Sequence, residues 1–222
     1  MPSADDPPIR VPDSLLARAR ALAATPARAV LGITGPPGAG KSTLAAALIR
    51  HLNQHEEVAV LVPMDGFHLA DVELARLGRA GRKGAIDTFD GHGYLALLRR
   101  IRSERRHLLY APGFERTLEQ PISGAIPVLP EHRVVITEGN YLLAGDDPWP
   151  QVRAELAQVW YCHTPAEVRR QRLLDRHIRF GKDPAHAAQW IRDVDDPNAR
   201  LVETARDSAD LVLAEENGFD PE

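Results

Sequence analysis

A layered α/β fold with a mostly parallel sheet is predicted by three observations. Short, continuous apolar runs recur along the chain, helical patterns alternate with them, and the first run leads through a glycine loop into a helix. The runs are AVLGIT (29–34), EVAVLV (57–62), RVVITE (133–138), AQVWYC (157–162) and ADLVLAE (209–215). Runs apolar at nearly every position suit parallel strands covered on both faces. Right-handed crossovers would link them, and ligands of such sheets bind beyond the carboxyl ends of the strands.

Taken in order, MPSADDPPIRV (1–11) is acidic and proline-rich and is expected to be a flexible tail ahead of a single domain over 12–222. PDSLLARARALAA then places Leu15, Ala19, Leu22 and Ala23 at helical spacing, with Asp13 or Ser14 as an N-cap. After the first strand and the glycine loop, Leu44, Ala47, Leu48 and Leu52 share a helical face. GYLALLRRIRSERRHLL repeats the pattern with Tyr94, Leu97, Leu98 and Ile101, and PAEVRRQRLLDRHI does so after Thr164, a candidate N-cap. The stretch 111–133 breaks the rhythm with four prolines and two glycines, and is expected to be an ordered excursion over the rim of the site.

Composition narrows the function. Hydrophobic residues make up 44% and charged residues 26%, which describes a soluble globular chain. A net charge of −4 lacks the basic excess that nucleic-acid binding requires, so the expected partner is a small molecule. No apolar run is long enough to span a bilayer, and the amino terminus lacks the pattern of a signal peptide. The one cysteine, Cys162, lies in an apolar run and reads as a small buried hydrophobe. These features predict a cytoplasmic protein. They leave the oligomeric state open, a homodimer included.

The chemistry begins at GPPGAGKST, where Gly35, Pro36, Pro37, Gly38, Ala39, Gly40, Lys41, Ser42 and Thr43 form a phosphate-binding P-loop for ATP. Glycines let backbone N–H groups approach phosphate oxygens at a helix N-terminus. Lys41 would reach the terminal phosphates and the Ser42 hydroxyl would ligate Mg²⁺. Glu138, closing the run RVVITE, is placed like a Walker-B acid and joins Ser42 as the second metal-side residue. Asp65, in VPMDGFHL after the second strand, could take the proton of an attacking hydroxyl. Arg169, Arg172, Arg176 and Arg179 cover about 80° of one helix face, the stripe of a lid over roughly 169–195, with Gly181 offering flexibility. No Asn-Lys-x-Asp segment is present to read guanine.

The ordered set GPPGAGKS, MDGFH, GAIDTFD, YAPGFER, VVITEGNYLL and RRQRLLDRHIRFGKD resembles the uridine kinase, phosphoribulokinase and pantothenate kinase superfamily. It is most similar to the bacterial branch described as nucleoside/nucleotide kinase-like, and the resemblance runs from Leu31 to about Leu213. It implies a three-layer P-loop kinase fold with a helical lid, and phosphoryl transfer from ATP to a hydroxyl of a nucleoside, sugar or pantothenate-like acceptor. Matching motif to motif, Asp65 becomes the catalytic base, Lys41 acts on the phosphates, and Arg172 and Arg176 become lid arginines with a catalytic role. Phe67, His68, Arg116, Glu138 and Tyr141 join Asp65 on the substrate side. A nucleotide-dependent switch and a catalytically silent ATP-binding scaffold are the competing readings.

Overall fold

The computed structural model describes residues 10–215 and 219–221. In chain order the elements are α1 (Asp13–Ala23), β1 (Ala29–Thr34), α2 (Lys41–Leu52), β2 (Ala59–Leu61), α3 (Asp71–Arg76), α4 (Gly91–Ser103), β3 (Leu109–Glu115), β4 (Gln120–Val128), β5 (Val134–Glu138), α5 (Trp149–Glu155), β6 (Gln158–His163), α6 (Ala166–Arg179), α7 (Pro184–Trp190), α8 (Asp196–Glu203), β7 (Leu211–Glu215) and β8 (Phe219–Pro221). Of the tail expected over 1–11, residues 1–9 lie outside the described residues, and Val11 is buried in the core.

The main sheet has the order β2-β5-β1-β6-β7-β8. The first five strands run parallel, and β8 closes the edge antiparallel to β7. Its alternating side chains supply two cores. Val134, Ile136 and Trp160 point to the face covered by α1 and α2, where they join Leu15, Leu44 and Leu48. Val135, Val159 and Tyr161 point the other way, toward Tyr94 and Leu98 of α4 and Trp149 and Val152 of α5. Helices on both faces explain why the strands read as unbroken apolar runs.

Three expectations need adjustment. The stretch 111–133 carries most of an antiparallel hairpin, β3–β4, with a register shift between Ala111 and Gly113. Prolines are compatible with strands there because a two-stranded ribbon leaves outward N–H positions unpaired. The α1 N-cap is Pro12, with Asp13 in the first turn, and the α6 N-cap is Pro165; neither makes a side-chain capping bond. A π-helical segment, Ile191–Asp195, joins α7 to α8 inside the region expected as the lid.

Candidate active site

The P-loop connects the end of β1 to the start of α2, at the carboxyl end of the sheet. Its backbone demands glycine at two points. Gly35 has φ 142° and Gly38 has φ 80°; a Cβ would lie 2.5 Å from the Cys162 carbonyl oxygen at Gly35 and 2.8 Å from that of Arg169 at Gly38. Pro36, Pro37 and Ala39 are buried around the turn, Gly40 takes a left-handed conformation as the N-cap of α2, and Thr43 is half-buried one turn in. The first N–H groups of α2 therefore face the loop, a fixed partial positive charge suited to phosphate.

Lys41 is 7% exposed and donates from Nζ to the carbonyls of Gly35 at 2.9 Å and Pro36 at 3.0 Å. Burial lowers its pKa, while the carboxylates of Glu138 and Asp65 act to raise it. Ser42 donates from Oγ to Glu138 Oε1 at 2.8 Å. Glu138 ends β5 in register with Ile33, is 6% exposed, and has its carboxyl pKa raised first by burial and then by the charge of Asp65. The oxygen-only Ser42–Glu138 pair, beside a cradle that any Cβ would fill, fits Mg²⁺ with a nucleotide phosphate.

Asp65 sits in a 3₁₀ turn, Met64–Phe67, immediately after β2. Its Oδ2 lies 3.5 Å from Nη2 of Arg116, which follows β3 in the hairpin turn. His68 donates from Nδ1 to the Asp65 carbonyl at 2.9 Å, since a carbonyl can only accept. Its ring packs at a tilt against Phe89, with centroids 4.0 Å apart, and Phe114, at 4.9 Å. Desolvation among these neighbours lowers its pKa, which favours the neutral ring with Nε2 as an acceptor. Phe67 packs on Tyr94 behind the turn. Tyr94 in turn donates to Thr137 Oγ1 at 2.6 Å, because Thr137 spends its own proton on the Val62 carbonyl.

Tyr141 is 1% exposed and gives its hydroxyl to the Gly84 carbonyl at 2.6 Å, so it buttresses the loop after α3 from behind. The arginine stripe divides. Arg169 is buried, donating to the Thr164 carbonyl at 3.1 Å and pairing with Glu203 at 2.7 Å, and thereby ties α6 to α8. Arg172, Arg176 and Arg179 are all exposed. Neighbouring protein nonetheless lowers the Arg176 pKa, with Arg116 the next largest influence and Asp195, Asp65 and Glu138 opposing. Arg176 is thus within electrostatic reach of both candidate carboxylates.

Sequence reasoning missed Asp195, Asn198 and Lys83. Asp195 receives His177 of α6 at 2.8 Å, and one turn on, Asn198 donates to the same Gly84 carbonyl that Tyr141 uses, at 3.2 Å. Lys83 binds Asp71 Oδ1 at 2.6 Å and the Glu119 carbonyl, pinning the hairpin turn to α3. The available signal was DVDDPNAR, a cluster of short polar residues inside a helical stretch that cannot all face water.

Comparison with known proteins bears on the family and the fold. The family model "Methylmalonyl Co-A mutase-associated GTPase MeaB" matches residues 10–66, the part from α1 through the P-loop to Asp65. A Schizosaccharomyces pombe protein named "Putative uridine kinase C227.14" is 34% identical over 217 residues, covering 94% of this chain and 92% of that protein. A pantothenate kinase of Corynebacterium glutamicum is 30% identical over 187 residues, covering 78% of this chain and 55% of the longer enzyme. The crystal structure of a "putative fructose transport system kinase" from Silicibacter sp. TM1040 superposes with a TM-score of 0.82 at 33% identity, covering 91% of this chain and 99% of that one. With its P-loop, its kinase-type sheet and kinase relatives along nearly its whole length, the chain belongs to the uridine kinase, phosphoribulokinase and pantothenate kinase superfamily.

Proposed function

We propose that the protein is an ATP-dependent kinase that phosphorylates a hydroxyl of a small acceptor: a nucleoside, a sugar or a pantothenate-like compound. The observation that carries this reading is the convergence of Asp65, Glu138 and Lys41 at the carboxyl ends of β1, β2 and β5, where each influences the ionisation of at least one other. Asp65 is the member of the group on the acceptor side, with 29% of its side chain exposed. It accepts the proton of the attacking hydroxyl as the oxygen bonds to phosphorus and the bond to the ADP leaving oxygen breaks. Lys41 and Arg176 balance charge on the transferring oxygens, and the P-loop N–H groups hold the phosphates in line. Bound Mg²⁺, held by Ser42 with Glu138 beside it, would supply further charge neutralisation.

The test is ADP release from Mg-ATP across nucleosides, pantothenate, fructose, other simple sugars and glycerate, with an acceptor-free control. The expected result is release that depends on one acceptor class. Tight ATP binding with a flat panel would overturn the kinase reading in favour of a silent scaffold. The match of residues 10–66 to a GTPase model supplies a second reading, a guanine-nucleotide switch. GTP binding stronger than ATP binding, without acceptor-dependent turnover, would favour it.

A further inference from the structure

We infer that the acceptor carries a carboxylate besides the hydroxyl that is phosphorylated, and that Arg116 recognises it. The inference rests on the kinase reading above and names the substrate class for that site.

Arg116 differs from the other cations on the acceptor rim in what it leaves unspent. Arg79 donates to the Asp87 carbonyl at 2.7 Å, Arg82 meets Asp87 Oδ2 at 2.5 Å, and Lys83 holds Asp71 and the Glu119 carbonyl. Arg116 makes no hydrogen bond among the described residues. Its contacts are the 3.5 Å approach to Asp65 and the face of the Phe114 ring, 5.9 Å from the guanidinium carbon. The side chain is 30% exposed, and a guanidinium carries five N–H donors in a planar fork. At 5.9 Å from the Phe114 ring the guanidinium is within cation–π range, and its unspent donors can receive a carboxylate with two parallel bonds.

Distance then limits the acceptor. A hydroxyl poised on Asp65 lies roughly 3 Å from that carboxylate, which puts the Arg116 nitrogens within about 7 Å of the reacting oxygen. A carboxylate about 2.8 Å from the fork is therefore at most about 10 Å from the hydroxyl, a span within which 2-hydroxy and 3-hydroxy acids fall. His68, neutral and with Nε2 as an acceptor, suits a second hydroxyl on the same molecule rather than the anion.

The competing role for Arg116 is contact with the transferring phosphoryl group, and kinetics separate the two. Acceptor-dependent ADP release would be measured for paired probes: glycerate against glycerol, and 3-hydroxybutyrate against 1,3-butanediol, together with fructose and uridine. The expected result is that a hydroxy acid exceeds its neutral partner in kcat/KM. Arg116→Gln should then remove about 10²-fold of that advantage, chiefly through KM, with its melting temperature unchanged and Arg116→Lys partly restoring it. Preference for a neutral acceptor would overturn the inference and leave the kinase reading standing, as would a loss in Arg116→Gln that falls equally on acids and neutral compounds through kcat. Absence of turnover with every probe would overturn it too, and nucleotide binding without turnover would show that the kinase reading had failed with it.

Discussion

Arg28 is 3% exposed and lies just before β1, where a basic residue ahead of an apolar run reads in sequence as solvent-facing. It instead spends its guanidinium on carbonyls of Ile101 and Glu104 at the end of α4 and of Leu129, Pro130 and His132 ahead of β5. Arg28→Met would leave those acceptors without their donor, and should cost about 3–5 kcal/mol in urea unfolding. A loss below about 1 kcal/mol would show that water replaces the guanidinium. His68 gives a second residue-scale prediction. Its pKa is lowered on folding from an ordinary value of 6.5, so the unfolded chain binds its proton more readily. Stability due to the neutral ring is present above about pH 6.5 and is lost as pH falls below it, toward the folded pKa. His68→Gln should therefore flatten the decline in unfolding free energy between pH 7 and 5; an unchanged slope would contradict the neutral assignment. The residues legible in sequence were those whose role follows from local chain geometry, such as Lys41 and Ser42 at a helix start. Arg28 and Asn198 were not, because their partners lie 73 or more residues away.

At the scale of elements, the strands were legible because burial on both faces writes itself as an apolar run. The β3–β4 hairpin was not, since only β3 alternates, β4 is exposed or half-buried along nearly its whole length, and the two carry Pro112, Pro121 and Pro127. The arginine stripe lies along α6, but spacing could not tell that Arg169 turns inward to Glu203 while Arg172, Arg176 and Arg179 stay exposed. The segment from Asp195 to Asn198 grips α6 through His177 and the loop after α3 through Gly84, which makes one helical turn a link between the expected lid and the acceptor side. Asn198→Ala leaves Tyr141 on the Gly84 carbonyl, so its cost in stability should be only about 1 kcal/mol. The expected effect is a several-fold fall in acceptor kcat/KM with ATP affinity retained. Unchanged acceptor kinetics would mean that the link is structural alone.

For the whole molecule, the two halves of the site differ in how they are built. The nucleotide half comes from one contiguous stretch, β1, loop and α2, and its backbone requirements are visible as glycines. The proposed acceptor half would draw on the turn after β2, the loop after α3, the hairpin and α8, so its shape would depend on packing between elements far apart in sequence. That explains why the P-loop, the kinase superfamily and candidates such as Asp65, His68 and Arg116 could be read from motifs, while the contacts of Lys83, Asp195 and Asn198 could not. On the proposed reading Asp65 is the residue where the halves meet: its charge acts on Lys41 and Glu138, and it lies 3.5 Å from Arg116. The most direct measurement follows γ-labelled ATP with an acceptor that supports turnover, comparing the native protein with Asp65→Asn. Label should appear on the acceptor oxygen with the native chain and fall by about 10²- to 10⁴-fold in the variant, with ATP affinity unchanged. Label transfer at the native rate in Asp65→Asn would contradict the central claim that this carboxylate activates the hydroxyl.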